Sequence, residues 1–272
     1  MRDKITVAMR IWNVVKGMST SELRDRMDQS VLLTVYGSDT NIDLLIRRLA
    51  TEKAHGEPGR HEGGSVAHLV RRETVPQPTS AIAIDADMVA GNEQALQDRM
   101  TTIATEHPDL RIALAKTYPA FRPTVTNILS HVKGIFNGKL AGMSALPGII
   151  PAGDWLLPFT AAGDMVVLTR NQVELFLEVA ACYDIPPDLQ ARVREFALVV
   201  GNAFLWRAAA RQLIGMAPVG IGVAVKAGVA YAGTYAIGRA AAAYYHGGGH
   251  TLTPADIKRY VREGLKTKSL PK

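Results

Sequence analysis

Apolar residues follow two different spacings along this chain, and the change between them divides it into two regions. In the first region, the compact apolar runs at residues 31–36 and 81–85 predict two buried strands. Helical spacing at residues 41–49 and 92–106 predicts a helix after each strand. From Arg122 onward strand patterns nearly vanish and helical spacing dominates. The pattern predicts an α+β protein, with a small N-terminal α/β layer followed by a mainly α-helical C-terminal domain.

The domain boundaries follow from the same pattern. We expect a small α/β domain over residues 1–121, a helical domain over 122–249 and a basic C-terminal helix or tail over 250–272. The Gly-, His- and Pro-rich stretch 54–79 is typical of a flexible loop or insertion. Further helices are predicted at 4–16 and 19–27, with one more element near 110–116. In the second region, helices are predicted at 124–136, 161–183, 188–213 and from Thr253 onward, and a helix or hairpin at 218–245.

Small residues recur at every fourth position between residues 218 and 245. On a helix this spacing forms one continuous ridge of side chains no larger than a methyl group. Such a ridge lets another backbone approach closely, in a membrane bundle or in a tight soluble hairpin. It predicts a helix contact and points to no chemistry. The ridge consists of Gly220, Ala224, Gly228, Ala232, Ala236 and Ala240.

Positive charge is concentrated near the C-terminus. The chain carries a formal net charge of +6, yet the residues from Phe196 onward contain ten Lys and Arg against two acids, a net of +8. The favoured partners are anionic lipid headgroups or an acidic protein face, and nucleic acid ranks last because no recognition motif accompanies the charge. The candidate contacts are Arg207, Arg211, Lys226, Arg239, Lys258, Arg259 and Arg262.

Residues 213–237 are long enough to cross a bilayer and carry one charge, Lys226. Nine strongly apolar residues favour insertion by roughly 3 to 5 kcal/mol, and a central lysine opposes it by about 2.5–3.5 kcal/mol. A buried helical core and a membrane-inserted hairpin therefore both stay open. The single cysteine fits a reducing compartment, and the N-terminus does not resemble a secretory signal. We expect a cytoplasmic location, with membrane association left open.

Four motifs in the C-terminal half resemble a known bacterial family. They are PGIIPAGDWLLPF at 147–159, ACYDI at 181–185, WRAAARQL at 206–213 and KAGVAYAGTYAIGRAAAAYY at 226–245. Over about residues 147–249 the chain resembles the domain of unknown function number six hundred and ninety-seven (YcjF-like), which occurs beside or fused to Era-like GTPases. The resemblance implies a helical, often membrane-associated module that works with a GTPase. The family has no established reaction, so it implies no catalytic residues.

The N-terminal layer lacks the signature of a GTPase domain. That signature is a glycine-rich loop after the first strand ending in Gly-Lys-Ser/Thr, whose amides and lysine hold the phosphates. Here residues 31–36 are followed by GSDTNIDLLIRRL, which has neither the second glycine nor the lysine. Asp85 and Asp87 follow the second predicted strand without the expected glycine, and no Asn-Lys-x-Asp motif occurs. We interpret the layer as a degenerate G-domain-like unit or an unrelated α/β unit, and predict no GTP hydrolysis.

The remaining chemically active residues carry weaker signals. The spacing of His55, His61 and His68 fits no standard zinc pattern, so no metal or other cofactor is predicted. Cys182 lies on the apolar side of its predicted helix and is expected in the core. Tyr231 and Tyr235 are one helical turn apart, which fits core packing better than an interfacial aromatic belt.

These observations favour a non-catalytic interaction module that acts with a GTPase or at a membrane surface. Two alternatives stay open: an integral membrane protein with a C-terminal helical hairpin, and a divergent nucleotide-binding hydrolase. The oligomeric state and the identity of a partner do not follow from the sequence.

Overall fold

In a computed structural model, the structure describes residues 19–51, 70–73, 82–143, 161–192, 195–196, 199, 222–249 and 253–266. The strands are β1 Leu33–Tyr36, β2 Val70–Glu73 and β3 Ala83–Asp85. The helices are α1 Ser21–Met27, α2 Asp39–Leu49, α3 Ala86–Val89, α4 Glu93–Glu106, α5 Arg111–Thr117, α6 Arg122–Met143, α7 Ala161–Cys182, α8 Gly222–His246 and α9 Pro254–Lys266. Short 3-10 turns occupy Pro108–Leu110 and Pro119–Phe121. The predicted α+β fold with a helical C-terminal region is confirmed.

The chain divides into two compact units. An α/β unit comprises Ser21–Ile128 and Ala181–Pro186, and a helical unit comprises the described parts of Met1–Thr20, Leu129–Ala180 and Pro187–Lys272. The boundary falls inside α6, about seven residues beyond the boundary expected at residue 121. Each unit is described by itself below.

The α/β unit is built on a parallel sheet with strand order β2-β1-β3. Leu33, Thr34 and Val35 of the central strand are all buried, as expected when helices cover both faces of a parallel sheet. The hydroxyl of Tyr118 donates to Val31 O at 3.1 Å and accepts from Leu33 N at 3.2 Å. It therefore satisfies two backbone groups where the chain enters β1.

Strand β2 corrects the prediction of a loop over residues 54–79. Residues 70–73 pair in register with β1, from Leu33 opposite Val70 to Tyr36 opposite Glu73. Their sequence, VRRE, has one apolar residue, so no apolar run marks it as a strand. Backbone pairing with the strong central strand fixes this segment, and a hydropathy pattern does not report backbone pairing. The rest of the predicted loop lies outside the described residues.

Three long helices form the centre of the helical unit. Residues of increasing number in α6 lie next to residues of decreasing number in α7 and in α8, so α6 runs antiparallel to both helices. Asn137 is near Leu168 of α7, and Lys133 is near Glu174 of the same helix. A Cβ placed on Gly134 or on Gly142 of α6 would meet Tyr231 or Ala227 of α8, respectively.

Helix α9 folds back along α8 after a glycine turn. Gly248 and Gly249 have φ angles of +69° and +90°, a conformation that glycine adopts at little cost. Thr253 and Asp256 then form a reciprocal cap: Thr253 Oγ1 donates to Asp256 Oδ2 at 2.7 Å, and Asp256 N donates to Thr253 Oγ1 at 3.3 Å. The predicted start of the terminal helix is confirmed. The sequence predicts an apolar stripe of Ile257, Tyr260, Val261 and Leu265 on this helix; the first three are buried, whereas Leu265 is 58% exposed.

The other predicted helices fall into two groups. Those at 41–49, 92–106, 161–183 and 218–245 are confirmed within a few residues at each end, as far as their residues are described. The helix expected at 124–136 continues to Met143. The predicted helix at 4–16 lies outside the described residues, and so do the motif at 147–159 and most of 188–213.

Candidate interaction surface

The helical unit carries an open groove of about 690 Å³ between α6, α8 and α9. That volume is in the range of about 300–1,000 Å³ that is usual for ligand clefts. Five of its ten lining residues are glycine or alanine, and they come from all three helices. The lining comprises Ile135, Gly138, Lys139, Gly142 and Met143 of α6, Ala227, Gly228 and Tyr231 of α8, and Gly264 and Leu265 of α9.

The groove opens beside the close contact of α6 with α8. A Cβ added at Gly138 would lie 3.1 Å from Ala227 O and 3.3 Å from Tyr231 Cβ, so the two helices touch there. A Cβ added at Gly228, only one residue beyond Ala227, would meet nothing within 4 Å. Glycines of α6 spaced every four residues thus bring the helices together, while Gly228 faces unfilled space.

Large apolar side chains are exposed at the rim of the groove. Met143 is 50% exposed and Leu265 is 58% exposed, although both line the groove. Phe136, at 51% exposure, precedes Met143 by two helical turns and extends the apolar rim along α6. Adjacent exposed apolar residues of this size are typical of a surface that binds a partner.

Basic side chains flank these apolar residues on both sides of the groove. Lys139 is exposed on α6, and Arg262 and Lys266 are exposed on α9 within one turn of Leu265. In the part of the chain that the structure describes, none of these three cations has a carboxylate partner. By contrast, Lys133, which precedes Lys139 by six residues in α6, is paired with Glu174 at 3.1 Å. The rim is therefore positively charged.

The predicted ridge on α8 is divided between buried and uncovered positions. Ala232, Ala236 and Ala240 are at most 1% exposed, whereas Ala224 is exposed and Gly228 lies in the groove. Gly220 lies outside the described residues. Helix α6 packs on a neighbouring face of α8, through Ala227 and Tyr231.

The predicted basic contacts are dispersed. Arg207 and Arg211 lie outside the described residues, and Lys226 is half-buried next to the groove. Arg239 is half-buried; burial lowers the pKa of His131, and the charge of Arg239 adds to that effect. Lys258 and Arg262 are exposed on α9. Arg259, also exposed, pairs with Asp256 at 3.4 Å, and its guanidinium lies 5.1 Å from the ring centre of Tyr260.

A polar network lies buried among α6, α7 and α8, and sequence reasoning missed it. Asn137 Nδ2 donates to Thr234 Oγ1 at 2.7 Å, and Gln172 Nε2 donates to the same oxygen at 3.1 Å. Asn171 Nδ2 donates to Asn137 Oδ1 at 2.8 Å. The only signal in the sequence is a polar residue at a core position of each helix. Hydrogen bonds of this kind fix the register of neighbouring helices.

Two tyrosines of α8 surround His131 of α6. Tyr231 Oη lies 2.6 Å from His131 Nδ1, and the centre of the Tyr235 ring lies 4.9 Å from that of the imidazole. Tyr235 is 6% exposed, and burial raises its pKa. Core packing is therefore the role of Tyr235, while Tyr231 also lines the groove.

In the α/β unit, the carboxyl ends of β1 and β3 form the edge where open α/β sheets bind ligands. Here that edge is closed by a carboxylate of the chain itself. Asp87 Oδ1 accepts from Ser38 Oγ at 2.6 Å, from Ser38 N at 3.0 Å and from Asn41 Nδ2 at 2.9 Å. The Ser38 hydroxyl and the other two donors lower the pKa of Asp87. Gly37, with φ at +129°, gives the carboxylate room, since a Cβ there would lie 3.0 Å from Asp87 Cγ.

Other sequence candidates have a simpler placement. Cys182 is fully buried, so the prediction of a core residue is confirmed. His55, His61 and His68 lie outside the described residues. The described part of the chain contains no group of three metal-ligating side chains. Nor does it contain a helix both long enough and apolar enough to span a bilayer.

The resemblance to a GTPase-associated domain rests on residue motifs, part of which lie outside the described residues. Comparison of the chain with family models, curated proteins and solved structures finds no match.

Proposed function

We propose that this protein is a non-catalytic interaction module whose helical unit docks on a GTPase partner. The groove between α6, α8 and α9 carries the proposal, because its glycine floor and exposed Met143 and Leu265 are features of a binding surface. The GTPase as partner comes from the family resemblance. The basic rim of the groove fits an acidic face of such a partner.

A bound nucleotide is disfavoured at the sheet edge of the α/β unit. The N-terminus of α2 begins after Ser38, where a phosphate-binding loop would present its amides to an anion. The Ser38 amide already donates to Asp87, and the Asp87 carboxylate would face any phosphate placed there. Repulsion between the two anions therefore opposes the nucleotide hydrolase alternative.

A membrane surface is the second candidate. It is favoured by the exposed Lys258, Arg262 and Lys266 of α9, which lie near the exposed Leu265. Basic and apolar side chains together attract a protein to anionic lipid headgroups. This candidate does not use the concave shape of the groove, so the GTPase partner ranks first. No observation on the described residues favours the integral hairpin.

Site-specific photo-crosslinking in the source cells tests the proposal. A benzophenone amino acid replaces Leu265 at the groove, and the control replaces Met88, which is 73% exposed on the α/β unit. We expect the probe at position 265 to capture a protein that contains a Gly-x-x-x-x-Gly-Lys-Ser/Thr loop, and the probe at position 88 not to. Capture of lipid alone at position 265 would favour the membrane surface. The same GTPase yield at both positions would contradict docking through the groove.

A further inference from the structure

We infer that the groove binds one amphipathic α-helix of a partner protein, with small and apolar residues on its buried face and acidic residues along both edges. The inference rests on the proposed function in using the same site. It goes beyond it by naming the form and the charge of the segment that is bound.

The first argument comes from what the ridge on α8 already binds. Where the ridge is buried, its covering element is a helix: a Cβ added at Gly264 of α9 would lie 3.2 Å from Ala232 Cα. Helix α9 ends at Lys266, about half a turn beyond that contact. The ridge continues for two more turns, through Gly228 and Ala224. Among the described residues, the groove is therefore the continuation of this surface that no helix covers.

The second argument concerns the floor of the groove. Gly138, Gly142, Gly228 and Gly264 bring no side chain into it, and Ala227 brings a methyl group. Small residues allow two helix backbones to approach more closely than larger side chains would permit. A helix bound in such a groove contacts it through apolar residues spaced three or four positions apart. Met143 and Leu265 at the rim would contact the sides of these residues.

The third argument is the charge of the rim. Lys139 lines the groove on the α6 side, and Arg262 and Lys266 are exposed on α9 within one turn of the lining residue Leu265. No carboxylate of the described chain neutralises them. A helix lying between these edges meets a cation on either side, and acidic residues on both flanks of its apolar face complement them. A flat bilayer surface would reach the rim cations but would leave the glycine floor empty.

A substitution that fills the groove distinguishes an effect on docking from an effect on folding. Since a Cβ at Gly228 meets nothing within 4 Å, Gly228→Leu should occupy the groove without displacing α6 or α9. Gly233 supplies the matched control, because it lies in the same helix and a Cβ there also meets nothing within 4 Å. Gly233 is five residues further along, about 140° around the helix, so Gly233→Leu changes another face. Circular dichroism establishes that both full-length variants keep the wild-type helix content.

The experiment selects binders from a displayed library of 18-residue helical peptides against the full-length protein. We expect enriched peptides to carry acidic residues on both sides of an apolar face. They should bind Gly228→Leu at least tenfold more weakly than wild type, and Gly233→Leu as wild type. Charge reversal by Lys139→Glu should weaken them by a further measurable factor. Enrichment of basic peptides, binders insensitive to Gly228→Leu, or no binder at all would overturn the inference.

Vesicles with 30% anionic lipid supply the membrane outcome. If wild type and Gly228→Leu sediment equally with these vesicles and no peptide is selected, the rim binds lipid and the inference fails. The crosslinking experiment tests the proposed function separately from this inference. If the probe at position 265 captures a GTPase equally well in wild type and in Gly228→Leu, the proposed function stands and the inference that a helix binds in the groove is overturned. If peptide binding depends on Gly228 but no GTPase is captured, the inference about the helix stands and the proposed function is overturned.

Discussion

Three glycines of α8 should respond in opposite directions to the same substitution by alanine. At Gly228 and Gly233 an added Cβ meets nothing within 4 Å. At Gly238 the Cβ would overlap Ser130 Oγ, and it would lie 2.9 Å from Ser130 Cβ and 3.1 Å from Leu175 Cδ2. The contact of α8 with α6 and α7 is therefore closest at Gly238, and a side chain is excluded there.

The magnitudes follow from two opposed terms. Alanine is better than glycine in a helix interior by about 1 kcal/mol, so Gly228→Ala and Gly233→Ala should stabilise the protein by roughly 0.5–1 kcal/mol. At Gly238 the same gain is offset by overpacking, which costs about 1–3 kcal/mol in a close-packed core. Because the overlap with buried Ser130 is severe, we expect a net loss of about 1–2 kcal/mol there.

Thermal denaturation followed by circular dichroism at 222 nm measures the difference. A change of 1 kcal/mol shifts Tm by about 2–4 °C for a protein of this size class. Gly228→Ala and Gly233→Ala should therefore melt a few degrees above wild type, and Gly238→Ala a few degrees below. Ser130→Gly, combined with Gly238→Ala, should recover part of the loss as a coupling of about 0.5–3 kcal/mol. If Gly238→Ala is at least as stable as Gly228→Ala, the close α6–α8 contact is refuted.

Three further substitutions test the interior and the sheet edge. Thr234→Val leaves two amide donors of the polar network without their shared acceptor, so a loss of about 1–3 kcal/mol is expected in urea denaturation; a change below 0.5 kcal/mol would contradict the network. Burial raises the pKa of Tyr118 to about 12, so the stability from its neutral form is present below about pH 10 and lost as pH rises through about 12. Tyr118→Phe should be less stable at pH 8 and lack that alkaline loss, and equal pH profiles would refute this. The lowered pKa of Asp87 gives stability above about pH 4 that is lost on further acidification, and a chemical melt of Asp87→Asn should lack that acid-dependent part.

Regular elements were predictable from the sequence because burial imposes a period on their apolar residues. Strands β1 and β3, and helices α4, α7, α8 and α9, all carry such a period and were located within a few residues. Strand β2 carries none, since backbone pairing with β1 defines it. The sequence could not show which polar residues of α6, α7 and α8 meet, because the polar network depends on the relative register of three helices.

The groove was only half predictable. The small ridge on α8 is visible in the sequence, and Gly134, Gly138 and Gly142 give α6 the same four-residue spacing. Where the ridge stays uncovered depends on the end of α9 and on the face of α8 that α6 selects. These are properties of packing among three helices, and spacing within one helix does not determine them.

The buried and the uncovered half of the ridge should respond differently to substitution of a neighbouring glycine. Gly264 of α9 packs against the buried half at Ala232, and Gly228 of α8 belongs to the uncovered half. Gly264→Ala places a Cβ 3.0 Å from Tyr235 Cδ1 and 3.2 Å from Ala232 Cα, where backbone cannot yield easily. We expect it to loosen α9 and destabilise the helical unit, by up to about 2 kcal/mol after the helix-propensity gain. Gly228→Leu fills open space and gains helix propensity, so it should not lower the wild-type Tm, while it weakens peptide docking at least tenfold. Hydrogen exchange of the α9 amides distinguishes the two: exchange should accelerate in Gly264→Ala and stay unchanged in Gly228→Leu. If both variants accelerate it alike, the uncovered half of the ridge is part of the folded core, and the groove is no docking surface.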